Sequence, residues 1–202
     1  MKIAMFGGSF NPIHTGHVML VKAVAEELEL DKVLLMPPYE NPHRHKQKDI
    51  SVTTEQKLEM CRLAFKDINF AEISDIEIKR QGASYTYMTL EELKEMYPDD
   101  ELFLITGADM FMTIHEWKHP EIIFRLATIC GVPRNNNDIS DLKKQGEYLH
   151  TLGAKTHILD VGIMTVSSTE IRNNIALGKS ISGMVTPEVE KYILENGLYK
   201  EG

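Results

Sequence analysis

The run Ile3-Ala4-Met5-Phe6-Gly7-Gly8-Ser9-Phe10-Asn11-Pro12-Ile13-His14-Thr15-Gly16-His17 decides the fold. Its first four residues, 3–6, are apolar and have the length of a buried strand, and two glycines end them. The period then changes, because Val18, Val21, Val24, Ala25 and Leu28 recur at helical spacing. A strand that passes through a glycine-rich turn into a helix opens a β-α-β unit. The same alternation continues along the chain, so the expected class is α/β, a Rossmann-like open, mainly parallel sheet with helices on both faces. Further strands are predicted at 32–36, 71–78, 101–106, 127–132 and 156–160. Leu58, Cys61, Arg62 and Phe65 mark a second helix behind a Thr53-to-Gln56 capping box. A third is expected over 86–96, stopped by Tyr97-Pro98-Asp99-Asp100, and a fourth over 139–152. A last helix has Thr186 as N-cap, Pro187 at its first position and Gly197 beyond its final turn.

The chain has 202 residues, 43% hydrophobic and 26% charged, the proportions of an ordinary globular protein. That length suits one domain over 1–202, whose C-terminal part, 165–202, is expected to be helical. The formal net charge of −8 offers no global basic field for a nucleic acid, so any anion must be gripped locally. Cys61 and Cys130 form no spacing motif, which fits a reducing compartment and no disulfide framework. The opening apolar run is far short of a signal-peptide core or a membrane span. A cytoplasmic protein with no membrane partner is therefore expected, and homo-oligomerisation stays open. In this acidic chain the loop over 37–51 carries a basic cluster, His43-Arg44-His45-Lys46-Gln47-Lys48, and long loops that persist are often functional.

Three clusters carry the chemistry. At the first turn, the start of a helix presents backbone N–H groups and glycine permits close backbone approach, which together suit a phosphate. Neither G-x-G-x-x-G nor G-x-x-x-x-G-K-[ST] occurs there. Instead His14 and His17 stand three residues apart, and their imidazole N–H groups can hold the oxygens of a reacting phosphate. Taken alone, a capped turn with two surface histidines explains either one; the pair together with Gly7, Gly8 and Gly16 favours function. The second cluster is Ser167-Ser168-Thr169-Glu170-Ile171-Arg172, where Ser167 and Glu170 have capping-box spacing. Arg172 falls in the first turn, where the macrodipole disfavours a cation unless an anion lies between them. The plain alternative is an exposed arginine paired with a glutamate. The third cluster is Thr106-Gly107-Ala108-Asp109 at a strand end, with Trp117 beyond it. It suggests close backbone approach, a ribose acceptor and either a stacking ring or a core tryptophan.

His115-Glu116-Trp117-Lys118-His119 matches H-E-x-x-H, the helical zinc motif. Pro120 biases His119 away from the helical region, so both histidines are not expected on one helical face, and no metal site is predicted.

GGSFNPIHTGH taken with the distant SSTEIR resembles the nucleotidyltransferase superfamily that shares an H-x-G-H signature with class I aminoacyl-tRNA synthetases. PYENPHRHK, GASYTYMTLEELK, GADMF, Trp117 and the closing ENGLY narrow the likeness to the bacterial nicotinate mononucleotide adenylyltransferases, over nearly the whole chain. That resemblance implies a nucleotidyltransferase domain that joins nicotinate mononucleotide to the adenylyl group of ATP, giving deamido-NAD and pyrophosphate in NAD biosynthesis. The resemblance further implies that the mononucleotide phosphate attacks the α-phosphorus directly, without an enzyme nucleophile, and that Mg2+ arrives on the triphosphate. The implied catalytic set is His14, His17, Lys46 and Arg172. ATP is implied to meet Gly7, Gly8, Ser9, Phe10, His17, Gly107, Asp109, Ser167, Ser168 and Arg172. The mononucleotide is implied to meet Ser9, Asn11, Lys46, Ser84, Tyr85, Thr86, Asp109 and Trp117. The basic loop departs from many relatives, so whether Arg44 or Lys46 fills the cationic role stays open, and selectivity for the acid over the amide mononucleotide is implied by the resemblance alone. Fold does not settle substrate: adenylylation of another phosphorylated acceptor such as phosphopantetheine, and a non-catalytic nucleotide sensor, are the rival readings.

Overall fold

The structure is a computed structural model that describes residues 1–39, 52–135, 138–159 and 166–200. In chain order its elements are β1 (Lys2–Gly7), α1 (Thr15–Leu28), β2 (Lys32–Met36), α2 (Thr54–Phe65), β3 (Ala71–Ile73), α3 (Ile76–Arg80), α4 (Thr86–Met96) and β4 (Glu101–Gly107). They continue with α5 (Ala108–Thr113), a 3-10 turn over Ile114–Glu116, α6 (Pro120–Leu126), β5 (Ala127–Val132), α7 (Asp138–Thr151), β6 (Lys155–Ile158), α8 (Ser168–Ala176) and α9 (Pro187–Glu195).

The strands form one sheet in the order β3-β2-β1-β4-β5-β6, and every neighbouring pair is parallel. Period-two alternation sends Ala4 and Phe6 to one face and Ile3 and Met5 to the other, and both faces are buried. On the first face Phe103, Ile105, Val33 and Leu35 meet Val21 and Val24 of α1, Met60 and Phe65 of α2, Ile171 of α8 and Val189 and Ile193 of α9. On the second, Leu34, Leu102, Leu104 and Ile129 meet Leu90 and Leu93 of α4, Phe111, Ile123 and Phe124 of α5 and α6, and Leu142 and Leu149 of α7. The chain goes outward from β1 to β2 and β3, then returns to the other side of β1 as β4. The strand order therefore reverses between β1 and β4, the position where open α/β sheets bind ligands beyond their strand ends.

Thr53 caps α2 as predicted: its hydroxyl accepts from the Gln56 N–H at 3.2 Å, and Gln56 Oε1 accepts the Thr53 N–H at 2.9 Å. One strand is corrected. The run 71–78 is a strand only as far as Ile73; Asp75 precedes the short helix α3, and Ile76 packs against the second core from that helix. Its β-branched residues hid a one-turn helix. The strand predicted over 156–160 is β6, Lys155–Ile158, and Asp160 lies outside the described residues.

Candidate active site

The Gly7-to-His17 turn is held from three directions. Phe10 has φ 42, and its ring is buried against Phe6 and edge-on to His17, with centroids 5.3 Å from the latter. A Cβ on Gly8 would lie 2.8 Å from the Phe10 ring, so glycine is required at position 8 by that ring and not only by an approaching phosphate. Asn11 is buried, and its Oδ1 accepts from the Tyr199 hydroxyl at 2.7 Å. The Thr15 N–H donates to the Met184 carbonyl at 2.9 Å, so the loop between α8 and α9 takes one of the amides that the start of α1 would otherwise offer. The side chains of Phe10 and Asn11, both named for ligand contact from sequence, are thus committed to the turn itself.

His14 and His17 lie ring on ring, their centroids 3.6 Å apart. The His14 N–H donates to His17 Nδ1 at 3.2 Å. Burial, with the neighbouring His14 ring adding to it, drives the His17 pKa well below the ordinary imidazole value, and burial lowers that of His14 to about 4. Both rings are therefore neutral at pH 7. Because Nδ1 of His17 accepts a hydrogen bond, its proton resides on Nε2, which is left as a donor. Nδ1 of His14 is buried without a partner among the described residues, a cost of about 1–3 kcal/mol that proteins retain mainly where function requires it.

The second helix start arrives at the same turn. Ser167 caps α8 by accepting the Glu170 N–H at 3.2 Å. The Ser168 hydroxyl donates to the Pro12 carbonyl at 2.9 Å, and Arg172 NH1 donates to the Asn11 carbonyl at 2.6 Å. Arg172 NH2 donates to Thr169 Oγ1 at 3.2 Å. Two segments about 160 positions apart in sequence, |i−j| being 156 and 161 for these two bonds, thus share one junction.

Beside this junction a cavity of about 290 Å3 opens at the β1/β4 reversal, lined among others by Gly7, Gly8, Ser9, Ser84, Thr86 and Trp117. Thr106, Gly107 and Met110 close it on the β4 side, and Met36, Pro38 and Glu77 opposite. At Gly107 a Cβ would meet nothing within 4 Å, so this strand end has open space beside it. Trp117 packs against the second core, as one of its two readings expects, and also forms part of the cavity wall.

Other sequence candidates fall elsewhere. The Tyr85 ring is not in the cavity wall and lies under Lys118 Nζ, 4.4 Å from the ring centre. Asp109 faces a second pocket of about 220 Å3, where its carboxylate pairs with Arg134. Arg134 was not singled out from sequence, although a cation just past the end of β5 occupies the sheet edge where ligands bind. Glu77 was missed because its segment reads as strand. His115 stands in the 3-10 turn while His119 is left-handed at φ 53, so the H-E-x-x-H match is broken where Pro120 said it would be. Arg44 and Lys46 lie outside the described residues.

The profile of the cytidylyltransferase-like family matches residues 5–174 of the chain, which spans both helix starts. The chain belongs to that family. Among similar members, the probable nicotinate-nucleotide adenylyltransferase of Flavobacterium johnsoniae is 37% identical over 201 residues, covering 100% of both chains. That of Caldicellulosiruptor saccharolyticus is 39% identical over 201 residues, again covering 100% of each. A putative nicotinate-nucleotide adenylyltransferase from Vibrio parahaemolyticus superposes with a TM-score of 0.70 at 25% identity, over 100% of this chain and 96% of its own. The Plasmodium falciparum nicotinic acid mononucleotide adenylyltransferase complexed with NaAD reaches a TM-score of 0.77 at 18% identity, over 98% and 97% of the two chains, and establishes likeness of fold. This cytidylyltransferase-like chain is thus a nucleotidyltransferase by family, matched to those relatives from end to end.

Proposed function

We propose that the protein transfers the adenylyl group of ATP to nicotinate mononucleotide. An oxygen of the mononucleotide 5′-phosphate forms a bond to the α-phosphorus of ATP, the bond from that phosphorus to the bridging oxygen breaks, and pyrophosphate leaves with the electron pair. Deamido-NAD is the other product. Full-length relatives that bear this activity in their names support the substrate. The observation that carries the mechanism is the convergence of the two helix starts on the Asn11 and Pro12 carbonyls.

In this reading catalysis is positioning and charge stabilisation, since phosphoryl chemistry of this kind needs no covalent intermediate. His17 donates from Nε2 to the α-phosphate, and its neutral ring does so without surrendering its proton. His14 stacks beneath it and faces the reacting phosphates. Arg172 and Ser168 exchange their carbonyl partners for the outer phosphates, with Ser167 and the first turn of α8 beside them. Gly7, Gly8 and Ser9 present backbone groups, and Gly107 with Asp109 approaches a ribose. The pyridine nucleotide occupies the cavity between Ser84, Thr86 and Trp117; Lys46, outside the described residues, is assigned to a substrate phosphate from the sequence alone. Mg2+ enters on the triphosphate as part of the substrate. The chain acts as one catalytic domain, placed in the cytoplasm in keeping with its two buried free cysteines; among the described residues no helix is long and apolar enough to cross a membrane.

The deciding experiment supplies ATP, Mg2+ and one acceptor at a time, and follows pyrophosphate release with identification of the dinucleotide by mass. Product with nicotinate mononucleotide and none with phosphopantetheine is expected. Turnover confined to phosphopantetheine overturns the acceptor, and no pyrophosphate with either overturns the reaction.

A further inference from the structure

Thr15 stands at the first position of α1, one place beyond the N-cap residue His14. A threonine at an N-cap accepts a hydrogen bond from its own helix. This one turns its hydroxyl outward and donates. Thr15 Oγ1 lies 3.0 Å from the Met184 carbonyl oxygen and 3.2 Å from that of Gly183, while the Thr15 N–H meets the same Met184 oxygen at 2.9 Å. Main chain and side chain of one residue thus grip two consecutive carbonyls of the loop between α8 and α9.

Those carbonyls are themselves held in place. Ile181 and Val185, each 2% exposed, are buried in the first core on either side of them. The Met184 N–H closes a turn on the Ile181 carbonyl at 3.0 Å, with Gly183 in the left-handed region at φ 79. Asn174 of α8 donates from Nδ2 to Met184 Sδ at 3.4 Å, so the helix that bears Arg172 is tied to the same residue. On its other side Thr15 lies between the two imidazoles, and the His14 N–H donates to His17 Nδ1 within the same helical turn. Two sets of side-chain bonds therefore join this turn to α8 and the loop after it. Ser168 and Arg172 hold the Pro12 and Asn11 carbonyls, and Thr15 holds those of Gly183 and Met184. In the reaction proposed above the first set is exchanged for phosphate contacts when ATP binds. The Thr15 hydroxyl, whose single hydrogen is directed to carbonyls, takes no part in that exchange. A valine would match its shape and would lack the tie.

We propose that Thr15 is a positioning residue for the histidine pair: by anchoring the first turn of α1 to the Gly183 and Met184 carbonyls, it keeps His14 and His17 in register with α8 once Arg172 and Ser168 have turned to the triphosphate. This rests on the reaction proposed above.

Thr15→Val keeps the branched shape and deletes the donor. The Met184 carbonyl retains the N–H of residue 15, so the melting temperature should fall by no more than about 2–4 °C. At saturating substrates kcat is expected to drop about tenfold, with the KM for each nucleotide within about threefold of wild type. Thr15→Ser restores the hydroxyl and should recover turnover. Because Thr15 acts through the imidazoles, Thr15→Val should take little more from a His17→Ala protein. An unaltered kcat, a serine variant no better than the valine one, or losses that multiply in the double variant would overturn the proposal. Should Thr15→Val fail to fold, Thr15→Ala decides in its place, since alanine favours the helix; it should show the same drop, and wild-type turnover refutes the assignment. A wild-type protein that does not adenylylate nicotinate mononucleotide overturns reaction and proposal alike, whereas an active wild type with unaltered variants overturns only the role of Thr15.

Discussion

Loss of the His17 imidazole should remove one donor from the charge that develops at the α-phosphorus. His17→Ala is expected to lower kcat by at least ~100-fold, measured as pyrophosphate release at saturating substrates. The two imidazoles, His14 buried and His17 half-buried, also make stability depend on pH. Their folded pKa values are depressed, to about 4 for His14, below the ordinary 6.5, so the unfolded chain binds more protons between these values. Stability is therefore full above pH 6.5 and declines as pH falls through the window down to about 4, at up to ~1.4 kcal/mol per pH unit for each imidazole. The raised carboxyl of Glu77 works with the opposite sign just above its ordinary 4.5, and the lowered carboxyls of Glu55 and Glu188 lose their contributions only below it. Urea unfolding at pH 7 and pH 5.5 should show wild type weaker at the lower pH and His14→Gln less sensitive. Glycine offers a sharper contrast. Gly8→Ala sets a methyl 2.8 Å from the Phe10 ring and should cost ~1–3 kcal/mol, displacing a ring that packs on His17. Gly107→Ala meets nothing within 4 Å, so the denaturation midpoint should stay near wild type while any change appears in KM. Both glycines are visible in the sequence. Their different reasons are not, because the neighbour of Gly8 depends on Phe10 adopting φ 42.

At the level of elements, α8 is stabilised and aimed by different residues. Ser167→Ala removes the cap and should cost ~1 kcal/mol in thermal or chemical denaturation with a modest effect on turnover. Arg172→Ala breaks the bond to the Asn11 carbonyl and should raise the KM for ATP far more than it lowers the melting temperature. Long, strongly periodic elements were legible in the residues themselves: α4 spans Thr86–Met96 as read, and the Thr53 cap and the Pro187 start stand where their chemistry placed them. Short ones were not. Helix α3 has five residues and α5 six, too few for a helical period to distinguish itself from β-branched alternation or from loop. Glu77 was lost with α3. That the start of α1 and the start of α8 come together agrees with the shared ATP contacts the resemblance implies, whereas the clasp of Thr15 by Met184 is not legible, since a backbone carbonyl leaves no trace in residue type.

Across the whole molecule, the sheet order places the cavity. With β1 and β4 adjacent and their crossovers leaving in opposite directions, a space is left beyond these two strand ends that no helix among the described residues fills. Alternating strands and helices reveal that such a crevice will exist, but the strand order that locates it emerges only when the chain is folded. Asp109 and Arg134 pair across the neighbouring rim with both side chains about 60% exposed, at 60% and 63%. Arg134→Ala should therefore change stability by less than ~1 kcal/mol, and an altered KM for either nucleotide would mark the pair as part of the site. The Tyr199 hydroxyl reaches Asn11 from 188 positions away, and both residues are buried. Tyr199→Phe leaves Asn11 Oδ1 without that donor and should destabilise the fold by ~1–3 kcal/mol. The same bond constrains synthesis. A ribosome makes Asn11 188 residues before Tyr199, so a nascent polypeptide carries its histidine pair on an unlatched turn until Tyr199 emerges, and a product truncated ahead of Tyr199 should be competent to fold its sheet yet poor at its chemistry.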